Sequence, residues 1–206
     1  RVLFRSDRRQ IMNNFTYSVP TKIHFGKGQI SHLYELSESG NKVLLCYGGG
    51  SIKKAGIYDE AVKILKEEDI EIFELSGIAP NPKIESVREG VKLCKENDID
   101  MVLAIGGGSV IDCAKVVAAG ACYDGDPWDL VITPRWIKKA LPIYSVLTLS
   151  ATGSEMDPFA VISDMSKNEK WGTASEHMKP KMSILDPEYT YSVSKKQTAA
   201  GTADMI

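Results

Sequence analysis

The amino-acid sequence predicts an α/β fold, an open and mostly parallel sheet with flanking helices, from three observations. Short apolar runs alternate with stretches of helical periodicity through the middle of the chain. Two of those runs, ending at Tyr47 and Ile105, pass directly into three consecutive glycines. The run Met101-Val102-Leu103-Ala104-Ile105 is apolar at every position, as in a parallel strand covered on both faces. Alternation of strand and helix then implies right-handed crossovers between parallel strands.

Taken in order, Val43-Leu44-Leu45-Cys46-Tyr47 is the first compact strand candidate. Tyr58 to Glu68 places Ala61, Val62 and Leu65 on one helical face, and Ile70 to Leu75 alternates in part, as a half-exposed strand does. A helix is expected to start at Asn81-Pro82, with Asn81 as N-cap and Pro82 at its first position. Its Ile84, Val87, Val91 and Cys94 recur at spacings of three and four. After Met101–Ile105 a helix runs from about Ser109 to Ala121. Further strands are expected at Ile143 to Leu147, Phe159 to Ser163 and Lys181 to Leu185. Ala199 to Ile206 reads as a helix beginning that stops without a cap, as if the chain were truncated there.

The bulk properties exclude several classes of partner. The chain has 206 residues, enough for one large domain or one domain plus a fragment. A net charge of −2 gives no global attraction to nucleic acid or to an anionic membrane. The apolar run Val116 to Cys122 is far short of the roughly 20 residues a spanning helix needs. The four cysteines, Cys46, Cys94, Cys113 and Cys122, form no CxxC pair, and a reducing cytoplasm is the expected setting. Residues 1–11 carry four arginines and no apolar periodicity, so they are expected to be a non-native leader. The expected division is 1–11 leader, 12–193 α/β domain and 194–206 the start of a truncated helical domain.

The most informative segment is Ile105-Gly106-Gly107-Gly108-Ser109-Val110-Ile111-Asp112-Cys113-Ala114-Lys115, where a buried strand turns into a helix. A helix start exposes unpaired N–H groups and carries roughly half a positive charge. Glycines leave a phosphate free to approach those groups, and Ser109 can donate another hydrogen bond. The alternative is a tight strand-to-helix turn with Ser109 as an ordinary N-cap and Asp112 balancing the helix dipole. The pattern is neither GxxxxGK[ST] nor GxGxxG. A second turn, Gly48-Gly49-Gly50-Ser51-Ile52-Lys53-Lys54, has two lysines and no acidic residue. A carboxylate there would suit the ribose hydroxyls of NAD, so its absence tilts the reading toward NADP; the lysines could equally be a solvated helix surface. A third segment, Leu147-Thr148-Leu149-Ser150-Ala151-Thr152-Gly153-Ser154-Glu155, packs hydroxyls directly after a strand.

Together with Pro20–Gly28, Pro80-Asn81-Pro82, Asp126-Pro127-Trp128, Leu185-Asp186-Pro187 and Ala200–Asp204, these segments resemble the iron-containing (group III) alcohol dehydrogenase family, in its NADPH-dependent butanol dehydrogenase-like branch. The resemblance runs from Met12 onward. It implies a Rossmann-like dinucleotide-binding domain followed by a helical domain that supplies most metal ligands. It implies cofactor contacts at Gly107, Gly108, Ser109 and Asp112 around the diphosphate and neighbouring ribose, and at Thr148, Leu149, Thr152, Lys170 and Asn81. Gly49, Gly50 and Ser51 fall where NAD-using members carry an aspartate, which agrees with NADP(H) over NAD.

Asp204 matches the family's first ligand to a divalent metal, iron or zinc, in the full-length enzyme. The remaining ligands are histidines, the first of them four residues further on, and this sequence ends at Ile206. His24, His32 and His177 match no ligand position and are expected to be surface or packing histidines. The implied activity is metal-assisted hydride transfer between NADP(H) and an aliphatic alcohol or aldehyde. The fragment is expected to be inactive alone and the full-length enzyme to be a homodimer. A non-catalytic dinucleotide-binding module, or a relative of glycerol dehydrogenase or dehydroquinate synthase on the same fold, are the competing readings.

Overall fold

The all-apolar run at Met101 becomes the centre of a six-stranded sheet in which every pairing is parallel. The computed structural model describes residues 18–204; the expected leader, 1–11, lies outside the described residues. In chain order the elements are β1 (Lys22–Phe25), a 3-10 helix (Gln29–Ser39), β2 (Lys42–Tyr47), α1 (Ser51–Lys54), α2 (Ile57–Glu67), β3 (Glu71–Leu75) and α3 (Ile84–Glu96). Then follow β4 (Met101–Gly107), α4 (Gly108–Ala121), α5 (Pro127–Ile132), β5 (Ile143–Leu149), β6 (Phe159–Asp164), β7 (Glu169–Ala174), β8 (Met182–Leu185) and α6 (Lys195–Asp204). The sheet order is β1-β8-β5-β4-β2-β3.

Strand side chains alternate between two apolar layers. Leu44, Cys46, Val102 and Ala104 face one layer, closed by Val87 and Val91 of α3 and Ile111, Ala114 and Val117 of α4. Val43, Leu45, Leu103 and Ile105 face the other, closed by Leu33 and Leu36 of the 3-10 helix and Ala61 and Leu65 of α2. Each such leucine removed from water contributes about 1.5–3 kcal/mol. Cys46, Cys94 and Cys113 are all buried in the first of these layers, whereas Cys122 is exposed. Among the described residues no helix is long and apolar enough to cross a membrane.

The structure corrects three expectations. Helix α3 starts at Ile84 with Lys83 as its N-cap, not at Pro82 after Asn81. The preceding residues are held in extended form, because Ser163 N–H donates to the Pro82 carbonyl and Lys83 bridges to Ser163. Asn81 takes a left-handed backbone, φ 54°. Second, the strand expected at Phe159 to Ser163 forms, running on to Asp164, but it stands outside the main parallel sheet. It pairs antiparallel with β7, across a turn in which the Asp164 carboxylate accepts from Ser166 and Lys167 N–H. Third, α6 begins at Lys195, four residues before the expected start at Ala199.

Candidate functional site at the carboxyl edge of the sheet

Strands β2 and β4 are neighbours in register, with Tyr47 opposite Ile105. The glycine turns that follow them therefore stand side by side at the carboxyl edge of the sheet, where open α/β folds bind ligands. Between them lies a cleft of about 390 Å³ lined by Gly48, Gly49, Ser51, Gly107, Gly108 and Ser109, with Thr148 and Leu149 from β5. A depression on the outer side of α2, lined by Asp59, Val62, Lys63, Lys66 and Glu67, has a similar volume of about 440 Å³. It is an open helix surface with no converging backbone donors.

The glycines at the cleft serve different ends. Gly107 precedes α4 in extended form and Gly108 is the first residue of that helix, so the free N–H groups of its first turn face the cleft mouth. A Cβ on Gly107 would stand 3.3 Å from Leu149 Cβ, so the glycine lets the end of β5 pair closely with the turn. Gly50 has φ 95°, a left-handed conformation suited to glycine, at the entry to α1. A Cβ on Gly49 would meet nothing within 4 Å. Packing does not require that glycine, and the space over it is open to a ligand.

The other expected site residues are placed less uniformly. Thr152 stands over Gly108. Lys170 Nζ donates to Asn81 Oδ1 at 2.6 Å, tying the β6–β7 hairpin to the segment before α3 at an exposed position. Neither residue lines the cleft. Asp112 is turned to the protein: its Oδ1 accepts from Ser154 Oγ at 2.6 Å and its Oδ2 from Val161 N–H at 2.9 Å. Burial raises its pKa above the ordinary aspartate value, against those two hydrogen bonds. Asp204 is the last residue of α6.

Of the two lysines after Gly50, Lys53 is engaged. Its Nζ lies 3.7 Å from Glu74 Oε2 and packs over the Tyr47 and Tyr58 rings. Both tyrosine hydroxyls donate to Glu74, so this carboxylate beside α1 is taken up locally. Cleft residues missing from the sequence reading are Ala55, Ile57, Ile78, Tyr189, Ser192, Val193 and Gln197. Tyr189 comes from a single 3-10 turn, Pro187–Thr190, and Ser192 and Val193 from the irregular chain after it, none with a periodic signal. Gln197 arrives with the earlier start of α6.

Two of the three histidines, His24 and His32, make one cluster with Glu35, while His177 lies apart in the turn Glu176–Met178. His24 Nε2 and His32 Nδ1 lie 3.0 and 3.2 Å from the same oxygen of Glu35, whose other oxygen accepts from Lys22. Among the described residues this is the one group of three candidate metal ligands. The imidazoles are stacked, 3.6 Å between centroids and 10° between planes, which sends their lone pairs into separate parallel planes rather than to one point.

Comparison with known proteins agrees with this architecture. The family model described as iron-containing alcohol dehydrogenase matches residues 20–187. The chain is 59% identical over 196 residues to NADH-dependent butanol dehydrogenase A of Clostridium acetobutylicum, covering 95% of this chain and 50% of that one. It is 44% identical to the NADPH-dependent aldehyde reductase YqhD of Escherichia coli, covering 94% and 50%. The crystal structure of NADH-dependent butanol dehydrogenase A from Thermotoga maritima superposes with a TM-score of 0.90 at 49% identity, over 94% of this chain and 49% of that one. The chain thus spans about half the length of the curated relatives it matches.

Proposed function

The chain belongs to the iron-containing alcohol dehydrogenase family, and from that premise we propose that its α/β body binds a nicotinamide dinucleotide for hydride transfer to and from a small aliphatic alcohol or aldehyde. The observation that carries this reading is the juxtaposition of the two glycine turns, with open space over Gly49 and the first turn of α4 facing the same cleft. Backbone amides at a helix start favour a diphosphate through unpaired donors and the helix dipole together. In this reading Gly107, Gly108 and Ser109 face the diphosphate. Gly49, Gly50 and Ser51 lie along the adenosine side, and Thr148, Leu149 and Thr152 toward the nicotinamide side. Asn81 and Lys170 act as a linked pair at the rim.

We propose NADP(H) over NAD(H). The Gly48–Lys54 turn has no carboxylate for the ribose hydroxyls, and Glu74 is held by two tyrosines and Lys53. The names of the relatives include both cofactors.

The described residues do not by themselves make a metal centre. A catalytic divalent ion takes about three protein ligands, and the His24, His32 and Glu35 group has the wrong ring geometry for one ion. Asp204 is the one ligand to iron or zinc that we propose from this chain, on a helix that also contributes Gln197 to the cleft. The protein's own contribution is to orient the dinucleotide and substrate and to exclude water. We propose further that the whole protein is a homodimer, which light scattering would check.

Calorimetric titration of the chain with NADPH and with NADH tests the reading. Binding of NADPH more tightly than NADH is expected. Tighter NADH binding would overturn the cofactor preference, and no binding of either would overturn the function.

A further inference from the structure

Lys115 has no exposed surface, yet it is an ammonium in the middle of α4. Its Nζ donates to Ser154 Oγ at 2.9 Å, to Asp157 Oδ1 at 2.8 Å and to the Phe159 carbonyl at 2.8 Å, which uses all three of its protons. Ser154 Oγ donates in turn to Asp112, one helical turn earlier on α4, and the other Asp112 oxygen holds Val161 N–H. Asp157 Oδ1 also accepts from Phe159 N–H. Two charged side chains on one helix face thus grip the chain at 154, 157, 159 and 161. The same helix presents its first turn, Gly108 and Ser109, to the cleft.

Stability alone does not explain a lysine here. Desolvating an ammonium costs several kcal/mol, and a well-packed apolar residue often serves a core as well or better than a buried ion pair. A fully satisfied ammonium does what an apolar residue cannot: it accepts only one arrangement of its three partners. The partners all lie on the segment that continues from Thr148, Leu149 and Thr152. We propose that Lys115, acting with Asp112 and Ser154, is a positioning device for the dinucleotide site. It locks the segment Ser150–Phe159 to α4 and so sets where Thr148, Leu149 and Thr152 stand over Gly107 and Gly108. Asp112 thereby acts through Ser154 and Val161 rather than as a ligand contact. The inference rests on the nicotinamide reading above.

The test compares the unmutated chain with Lys115→Met and Ser154→Ala. Hydrogen exchange is read at residues 150–157, and affinities for NADPH and NADH are read by calorimetry. Lys115→Met is expected to lose amide protection at 150–157 while β2 and β4 keep theirs, and to weaken dinucleotide binding about tenfold or more. Ser154→Ala, which deletes one hydroxyl, is expected to show the same pattern more weakly, and it carries the test if Lys115→Met does not fold. Burial draws the Lys115 pKa below the ordinary lysine value, against Asp157, Asp112 and Glu155, which push it up. Affinity of the unmutated chain is therefore expected to fall as pH rises into the lysine range, and Lys115→Met to flatten that profile. Unchanged protection and affinity within twofold in a folded variant would overturn the inference while leaving the dinucleotide reading intact. An unmutated chain that binds neither dinucleotide overturns both.

Discussion

A Cβ placed on Gly108 would stand 2.8 Å from Thr152 Oγ1, closer than real Cβ contacts allow. The first residue of α4 and the β5 loop therefore meet without room for a methyl group. Gly108→Ala requires the Thr152 side chain, the loop or the helix start to shift, and overpacking of this kind costs about 1–3 kcal/mol. The expected result is a lower midpoint in urea unfolding together with weaker dinucleotide binding. An unchanged midpoint would show that the loop yields freely.

Gly49 makes the opposite case, since a Cβ there meets nothing within 4 Å and its backbone is not in the left-handed region. Gly49→Ala is expected to leave the unfolding midpoint nearly unchanged, within about 0.5 kcal/mol. If the open space is where the dinucleotide backbone approaches, the same variant should lose about tenfold in affinity, or about 1.4 kcal/mol. Comparing the two glycine variants separates packing from ligand access. Equal affinity in Gly49→Ala and the unmutated chain would remove the Gly48–Gly50 turn from the site.

What was readable from sequence follows from burial. Strands β2, β4 and β5 are buried almost throughout, so β2 and β4 appear as unbroken apolar runs from Val43 and Met101, and β5 as one interrupted by the hydroxyls of Ser145 and Thr148. Edge strand β1 and hairpin strand β7 are mostly exposed or half-buried, so they carry no such run and escape a periodicity reading. Helix Gln29–Ser39 did carry a signal in its buried Ile30, Leu33 and Leu36, spaced by three. The glycine turns were legible because helix starts and small residues have local consequences. The grip of Lys115 and Asp112 on Ser154 was not, because it joins residues 39 and 42 positions apart, and spacing is silent at that range.

The thiols offer a check on the apolar layer closed by α3 and α4. Desolvation pushes Cys94 and Cys113 up to about 12, and Cys46 well above its ordinary value, so their thiolates are scarce at neutral pH. Cys122, just after α4, is exposed; desolvation raises its thiol as well, against the pull of Lys139 and Lys95, so exposure is what sets it apart. A thiol reagent at neutral pH is expected to modify one cysteine rapidly in the native chain and all four in denaturant. Two or more fast thiols in the native state would mean that this layer is open to solvent.

The stacked pair His24 and His32 predicts a pH dependence whose sign can be worked out. Burial is the largest influence on His24, followed by repulsion from His32; both lower its pKa below 6.5, against the pull of Glu35. A histidine whose pKa is lowered in the folded state binds fewer protons there than in the unfolded chain. In the window between its folded value and 6.5 the unfolded state takes up the extra proton, so stability falls as pH falls. The contribution is fully present above pH 6.5 and is lost progressively below it. Urea unfolding at pH 7 and pH 5 measures the drop, to which carboxylates such as Glu35, held below its ordinary value by Lys22, also contribute. His24→Asn removes one titrating group and the stack with it. Its absolute stability should fall at both pH values, but the difference between them should shrink. A difference as large as that of the unmutated chain would mean that His24 titrates in the folded protein as it does in water, and that the cluster carries no stored desolvation.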